Sequence, residues 1–313
     1  MKKSIKMMSL FVAVLSLGIT SCSKDDNVKE PEAESKIENV EIGSGNNGKG
    51  VIGRDFHLDM DVTAATRINS VQVSIEQRPG ETYTKSWSFD ITWDEFKGAK
   101  NTNVHKHFDI DKEAPEGVYD FIIRIVDENG TVIEETHSIE LISLENLPVN
   151  PELYSLMLEK LGKGYLYILN RGFMIPGDKG YGEGDTLRST VDIRNVKGDG
   201  VLYTVLIKKS AGHLPETAED IDFSKVIVTD MREHKNMAEL DYFTNYLALE
   251  GQVDHMPKEL LIGGTTDNNS PDPNIIQGDK VWENGAYYFG VIYTNTTYNM
   301  SAHYYIELDI TGF

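Results

Sequence analysis

Apolar and polar residues alternate with a period of two along much of the first half of the chain. Residues 56–62 and 71–75 show this alternation, and residues 104–110 repeat it. The pattern is typical of strands that bury one face. Such signals recur at short spacing with little helical periodicity, which predicts an antiparallel β-sandwich of immunoglobulin type over residues 37–143.

The clearest hairpin signal in this region covers residues 118–133. An apolar-rich run at 118–126 is followed by Asp-Glu-Asn-Gly and then by a second run from residue 131. Asn129 and Gly130 tolerate the positive φ that tight hairpin turns require. We therefore expect two antiparallel strands connected at this turn.

A segment rich in asparagine and proline, residues 144–151, marks a boundary between two regions. The apolar spacing in residues 152–161 is compatible with a short helix or a helical turn, and strand patterns return from Tyr165 onward. Residues 152–313 are therefore expected to form a second β-sandwich. A β-domain of different topology is the alternative, because it would leave the same pattern.

The second region is longer than the first, and residues 241–280 account for most of the difference. The segment opens with a helix-like pattern at 241–249 and continues through a polar loop at 267–273. Insertions of this length are more often functional than ordinary turns are. The predicted fold is all-β, with tandem antiparallel immunoglobulin-like β-sandwiches, the second carrying an insertion at about 241–280.

The first 21 residues have a different character. Three lysines precede an apolar run over residues 7–19, which is too short to span a bilayer and fits a secretory signal peptide at 1–21. The run ends in Ile-Thr-Ser-Cys, a sequence that resembles the bacterial lipobox. The resemblance implies cleavage before Cys22 and acylation of its sulfur by chains such as palmitate. A plain secretory signal with an incidental cysteine is the alternative.

Cys22 is the only cysteine, so its acylation leaves no thiol for a disulfide, a Cys-ligated metal or a nucleophile. Residues 22–36 are polar and charged, which predicts a flexible tether. Their opening, Cys-Ser-Lys-Asp-Asp, resembles the signal that sends Bacteroidetes-type lipoproteins to the outer face of the outer membrane. The expected location is the outer membrane, lipid-anchored and facing the cell exterior, with a periplasm-facing lipoprotein as the alternative.

The charge balance removes one class of partner. The formal net charge is −20 at pH 7, and cleavage of the signal peptide would remove three lysines and no acid. Such a surface repels nucleic acid and anionic headgroups, and no basic cluster offsets it. Nucleic acid is therefore not an expected partner, and the membrane is expected to be contacted through the lipid anchor.

A family resemblance is carried by Gly117-Val118-Tyr119-Asp120-Phe121 and by the Val-Asp-Glu-Asn-Gly at 126–130. These resemble the end of an uncharacterised immunoglobulin-like domain family found mainly in Bacteroidetes surface lipoproteins. Residues 104–110 and 56–59 also fit its pattern, so the resemblance covers about 37–142. Asp120 departs from it, since the family usually has histidine there. The resemblance implies a fold and a cell-surface location but no established chemistry.

Three histidines form the first candidate site. His105 and His107 are two residues apart, so both project from the same face of a strand, and His57 lies on another expected strand. The carboxylates expected near them are Asp59, Asp61 and Asp120. Imidazoles with a carboxylate are common ligands of Zn, Cu, Ni and Fe. The strand spacing permits a transition-metal site at His57, His105, His107 and Asp120. A solvated or hydrogen-bonded histidine pair without a cofactor is the favoured interpretation, because it would show the same spacing.

Aromatic residues form the second candidate site. Tyrosines crowd the last two expected strands, and Trp282 comes just before them. Aromatic rings on a sheet can stack on a sugar or a porphyrin, which makes Trp282, Tyr288 and Tyr298 candidate ligand-binding residues. Ordinary core and surface tyrosines, which are common in strands, are the alternative.

No nucleophile elbow, zinc-protease motif or phosphate loop occurs, so an enzyme is not expected. The leading expectation is a non-enzymatic binding or accessory protein that captures a nutrient or a metal complex at the cell envelope. An outer-membrane transporter or a glycan is the expected partner, by resemblance to outer-membrane uptake lipoproteins. A structural or adhesive spacer built from immunoglobulin-like domains is the alternative.

Overall fold

The computed structural model of the protein describes residues 34–249 and 252–313, with residues 247–249 and 252–254 described by their backbone. The expected signal peptide and the lipidation site Cys22 lie outside the described residues, as does nearly all of the expected tether. The part that is described contains nineteen β-strands, four short 3₁₀ helices and no α-helix, which confirms the all-β prediction. None of its helices has the length and apolar character needed to cross a bilayer.

The first eight strands form two sheets. They are β1 (Lys36–Ile42), β2 (Lys49–Val51), β3 (Asp55–Thr63), β4 (Ile68–Gln77), β5 (Ser88–Trp93), β6 (Asn101–Asp109), β7 (Gly117–Asp127) and β8 (Val132–Ile142). One sheet has the order β1-β3-β6 and the other the order β2-β8-β7-β4-β5. Side chains from both sheets, among them Phe56, Val104 and Phe121, meet in one buried core. The two sheets are therefore the layers of a β-sandwich.

The expected hairpin is present. β7 pairs with β8 in antiparallel register, and Val126 lies opposite Val132 next to the turn. Gly130 has a φ of 87°, and the backbone N–H of Thr131 donates to Oδ1 of Asn129 at 2.8 Å. The turn residues thus supply the conformation and the side-chain acceptor that the connection needs.

The later strands form a second all-β region. They are β9 (Glu152–Lys160), β10 (Gly164–Ile168), β11 (Gly172–Phe173), β12 (Gly180–Gly182), β13 (Thr186–Lys208), β14 (Val226–Thr244), β15 (Leu247–Leu249), β16 (Gln252–His255), β17 (Glu259–Leu261), β18 (Gly285–Asn295) and β19 (Met300–Thr311). All but β15 and β16 join one nine-stranded sheet, built around the 23-residue β13. Leu158, Phe289 and Leu308 belong to its hydrophobic core.

Two local helix predictions are wrong. Residues 152–161 contain strand β9, which pairs with β10 on one side and with β13 on the other. Leu156 and Leu158 are buried and Met157 between them less so, which is the alternation of a strand. Residues 241–249 contain the end of β14 and the short β15. In both segments the pairing with neighbouring strands overrides the local apolar spacing.

A substitution at Gly180 can test how closely the backbone of β12 packs against β19 at the edge of the sheet. A Cβ at Gly180 would lie 1.8 Å from the carbonyl oxygen of Asp309, whereas one at Gly182 would have no contact closer than 3.8 Å. Gly180→Ala should therefore lower the free energy of unfolding by about 2–3 kcal/mol, because the backbone must move. Gly182→Ala, on the same strand, should change it by less than about 0.5 kcal/mol. Urea unfolding measures both, and equal effects would contradict the expectation.

Candidate metal centre

The three predicted histidines lie on the outer face of the three-stranded sheet. In the antiparallel pairing of β3 with β6, His57 lies opposite His107 and Asp59 lies opposite His105. The residues between them along β3, such as Leu58, point into the core. Since side chains alternate across a strand, the register itself places all three imidazoles on one surface.

A carboxylate from the second region completes the cluster. One ligand atom from each of His57, His105, His107 and Glu216 can be chosen so that all four lie within 4.8 Å of one another. Oε1 of Glu216 is 3.0 Å from Nε2 of His107, and Oε2 is 3.3 Å from Nδ1 of His57. Glu216 belongs to the connection between β13 and β14. These four residues, called the metal centre below, offer three imidazoles and one carboxylate.

Two aspartates orient two of the imidazoles. Oδ2 of Asp59 is 2.8 Å from Nδ1 of His105, and Oδ2 of Asp55 is 2.6 Å from Nδ1 of His107. A carboxylate that accepts from Nδ1–H fixes the tautomer and leaves Nε2 free as a donor atom for a metal. Both rings therefore already have the second partner that metal-binding histidines usually have.

His57 is the buried member of the set. The residue is 7% exposed, and neither of its ring nitrogens makes a hydrogen bond. Its Nε2 lies 3.7 Å from Oε1 of Glu41, which is too far for such a bond. A buried polar atom without a partner costs about 1–3 kcal/mol, so this ring calls for a proton shared with a carboxylate or for a metal ion.

The electrostatics of the metal centre favour an ionised carboxylate. Burial raises the pKa of Glu216, but the imidazoles of His57, His303 and His107 outweigh it and hold that pKa at about 2. Burial lowers the pKa of His57, but Glu216, Glu41 and Asp59 together raise it above its ordinary value. The carboxylate is therefore charged at neutral pH and attracts either a protonated ring or a cation.

The loop that carries Glu216 is fixed on both sides of it. The hydroxyl of Tyr305 donates to the carbonyl oxygen of Pro215 at 2.5 Å. Thr217 is fully buried, and its hydroxyl donates to Oδ2 of Asp220 at 2.8 Å. The N–H of Ala218 donates to the hydroxyl of Thr294 at 2.9 Å. Glu216 therefore approaches the histidines from a supported position.

Further contacts join the two regions around the metal centre, within the single unit Glu34–Phe313. Nδ2 of Asn47 donates to the carbonyl oxygen of Asn299 at 2.9 Å, and Nη2 of Arg54 donates to Oε1 of Glu152 at 3.4 Å. We call this zone the seam. A cavity of ≈ 370 Å³ lies along it and is lined by residues of both regions, including His57, Glu216 and His303.

One predicted ligand does not join the metal centre. Asp120 lies on β7, in the opposite sheet of the first sandwich, and its Oδ1 accepts from Nε of Arg78 at 2.6 Å. Asp61 accepts from Asn39 and Asn103 instead of a histidine. Glu216 takes the place that the sequence assigned to Asp120. Its position in a loop 109 residues after His107 gave no local signal.

The aromatic residues do not form one surface. Trp282 is 9% exposed and packs in the core of the second region, where its Nε1 donates to the carbonyl oxygen of Gly264 at 2.8 Å. Tyr288 lies beside Tyr305, and Tyr298 lies under the ammonium of Lys197. Trp282 precedes β18 and Tyr298 follows it, so the strand separates them by about 30 Å.

Residues 20–142 match a family described as a domain of unknown function, DUF4625. This confirms an uncharacterised domain family in the first half of the chain, and the match includes the three histidines but not Glu216. A comparison with curated proteins finds no match. Among solved structures, the chain is similar to dimeric latent PorU from Porphyromonas gingivalis, with 9% identity and a TM-score of 0.31, over 91% of this chain and 21% of that one.

The raised pKa of His57 predicts a pH dependence in the metal-free protein. A group with a raised folded-state pKa contributes its full stability below its ordinary pKa, 6.5 here, and loses it as the pH rises through the folded-state value. With a chelator present, the difference in unfolding free energy between wild type and His57→Gln should therefore be largest below about pH 6.5 and shrink as the pH rises through the raised folded-state pKa.

The control for this test is His137→Gln. His137 pairs with Glu135 at 3.2 Å on the same sandwich but away from the metal centre, and both side chains are about one-third exposed or more. Its contribution to stability should be small at either pH. If the difference in unfolding free energy between wild type and His57→Gln stays constant or grows with pH, the expected pairing of His57 with Glu216 is contradicted.

Proposed function

We propose that this protein is a non-enzymatic metal-binding lipoprotein of the outer membrane. It captures a divalent transition-metal ion, free or as a complex, at His57, His105, His107 and Glu216. The observation that carries the proposal is the buried ring of His57, whose two nitrogens have no hydrogen-bond partner while three other donor groups converge on it.

The donors fit a transition metal better than they fit a solvated histidine pair. A solvated pair needs neither a buried third imidazole nor a carboxylate supplied from a distant loop. Aspartates on Nδ1 of His105 and of His107 complete the arrangement found around metal-binding histidines. The acidic character of the chain, with a net charge of −20, also favours the local concentration of cations.

The proposed location rests on the sequence of the first 36 residues. The basic start, short apolar run and small residues before Cys22 support export and acylation, and several acyl chains on one residue support a stable anchor. The acidic residues behind Cys22 support display at the cell exterior. A tethered binding protein there could pass its ion to an outer-membrane transporter, which is the partner we propose.

Metal binding can be measured on the full chain carrying Cys22→Ala, which removes the acylation site. We expect Zn²⁺ to bind one ion per chain in titration calorimetry, and to raise the free energy of unfolding by about 2.7 kcal/mol at 100 times Kd. His57→Ala should abolish both effects. Asp59→Asn should weaken binding about 10- to 100-fold, because the carboxylate that accepts from His105 is replaced by a neutral amide.

His137→Ala is the matched control for metal binding, since it removes a histidine beside a carboxylate on the same sandwich without touching the metal centre. It should bind the ion as wild type does. The absence of ion binding to the wild-type chain would overturn the proposed function.

The anchor has its own test. In a host with lipoprotein processing, the wild-type chain should incorporate a labelled fatty acid and remain with the outer-membrane fraction, whereas Cys22→Ala should be unlabelled and released. Antibody labelling of intact cells measures surface display. An unlabelled wild-type chain would contradict the anchor, and a labelled chain that antibody does not reach would contradict display.

A further inference from the structure

We infer that the metal centre is a closed, four-coordinate site for a zinc-class divalent ion, and that Glu216 supplies the ligand that closes it. This inference rests on the proposed metal binding and names the kind of ion and the coordination. Its consequence is a site that holds an ion without leaving a coordination position open for a substrate.

The donor atoms restrict the ion. Calcium and magnesium take oxygen ligands, so a set with three imidazoles excludes both. Copper(I) and iron–sulfur clusters are selected by thiolate or thioether ligands, and none belongs to this set. Three nitrogens and one carboxylate oxygen match the ligands that zinc takes in proteins.

The distances fit a tetrahedron. Zinc bonds to nitrogen and oxygen are about 2.0–2.1 Å long, so neighbouring ligand atoms in a tetrahedron lie about 3.3–3.4 Å from one another. Oε1 of Glu216 lies 3.0 Å from Nε2 of His107, and Oε2 lies 3.3 Å from Nδ1 of His57. With one ligand atom taken from each of the four residues, all separations are within 4.8 Å. The widest separation would have to shorten by up to about 1.4 Å to reach the tetrahedral value, which is within the reach of side-chain rotation when an ion binds.

Glu216 decides whether the site is closed. Of the four ligands, the sheet formed by β3 and β6 supplies the three imidazoles, and three protein ligands with an open fourth position are the arrangement of catalytic zinc sites. The supported loop that carries Glu216 places a carboxylate in that fourth position. Because Glu216 belongs to the second region, the bound ion also joins the two regions across the seam.

Cobalt(II) tests the coordination, since it replaces zinc and its visible absorption reports coordination number. The Cys22→Ala chain loaded with Co²⁺ should show the intense bands of four-coordinate cobalt, and azide should leave them unchanged because no position is open. Glu216→Ala should bind Zn²⁺ at least about 100-fold more weakly, and its cobalt spectrum should change with azide.

Glu219→Gln is the matched control, because Glu219 is an exposed carboxylate three residues along the same loop. It should keep the wild-type affinity and spectrum. If the cobalt-loaded Cys22→Ala chain shows the weak bands of six-coordinate cobalt, or bands that change with azide, the closed site is overturned while metal binding remains. No cobalt or zinc binding at all would overturn the proposed function with it. The spectrum of the Cys22→Ala chain decides the matter without any change at Glu216, so the test holds even if Glu216→Ala is unstable.

Discussion

The structure depends on one buried contact between its two regions, the approach of the Glu216 carboxylate to the ring of His57. His57 projects from the outer face of a sheet, where an imidazole would ordinarily be hydrated. The second region covers it, and both ring nitrogens lose water without gaining a hydrogen bond. The cost of such desolvation is about 1–3 kcal/mol for each atom. A seam that buries this ring therefore needs a charged partner, a proton or a metal ion.

The two regions contribute to the metal centre by different physical means. In the first, the regular register of β3 with β6 sets three imidazoles and two orienting aspartates on one surface. In the second, a loop is fixed by hydrogen bonds at Pro215 and Ala218, so that one carboxylate points outward from it. Strand geometry sets the spacing of the imidazole nitrogens, and the loop supplies the carboxylate of Glu216 as the fourth ligand of the proposed site.

The sequence predicts the parts of this arrangement that are local. Period-two alternation identifies the strands of the first sandwich, the Asn-Gly turn identifies the β7–β8 hairpin, and the two-residue spacing places His105 beside His107. Prediction from the sequence fails where pairing with distant residues decides the local structure. Residues 152–161 have the apolar spacing of a helix, but they form a strand that pairs with β10 and β13. Asp120 lies in the sheet opposite to the one that carries the histidines. In the sequence nothing distinguishes Glu216 from the other acidic residues of its loop, Glu219 and Asp220, so only the three-dimensional approach of the loop reveals it.

A centre assembled across a seam differs physically from one built within a single sandwich. The three imidazoles stay together on one sheet whatever the second region does, whereas the carboxylate reaches them only while the seam is closed. In the proposed site, opening the seam would remove one charged ligand and hydrate His57 without unfolding either core, so the hold on the ion would fall in a single step. Hydrogen bonds from Asn47, Lys49, Arg54 and Asn299 cross the seam, and a cavity of ≈ 370 Å³ lies beside the ligands. Holding the ion and keeping the two regions together are therefore linked equilibria in the proposed site, because Glu216 and the imidazoles that it contacts come from different regions.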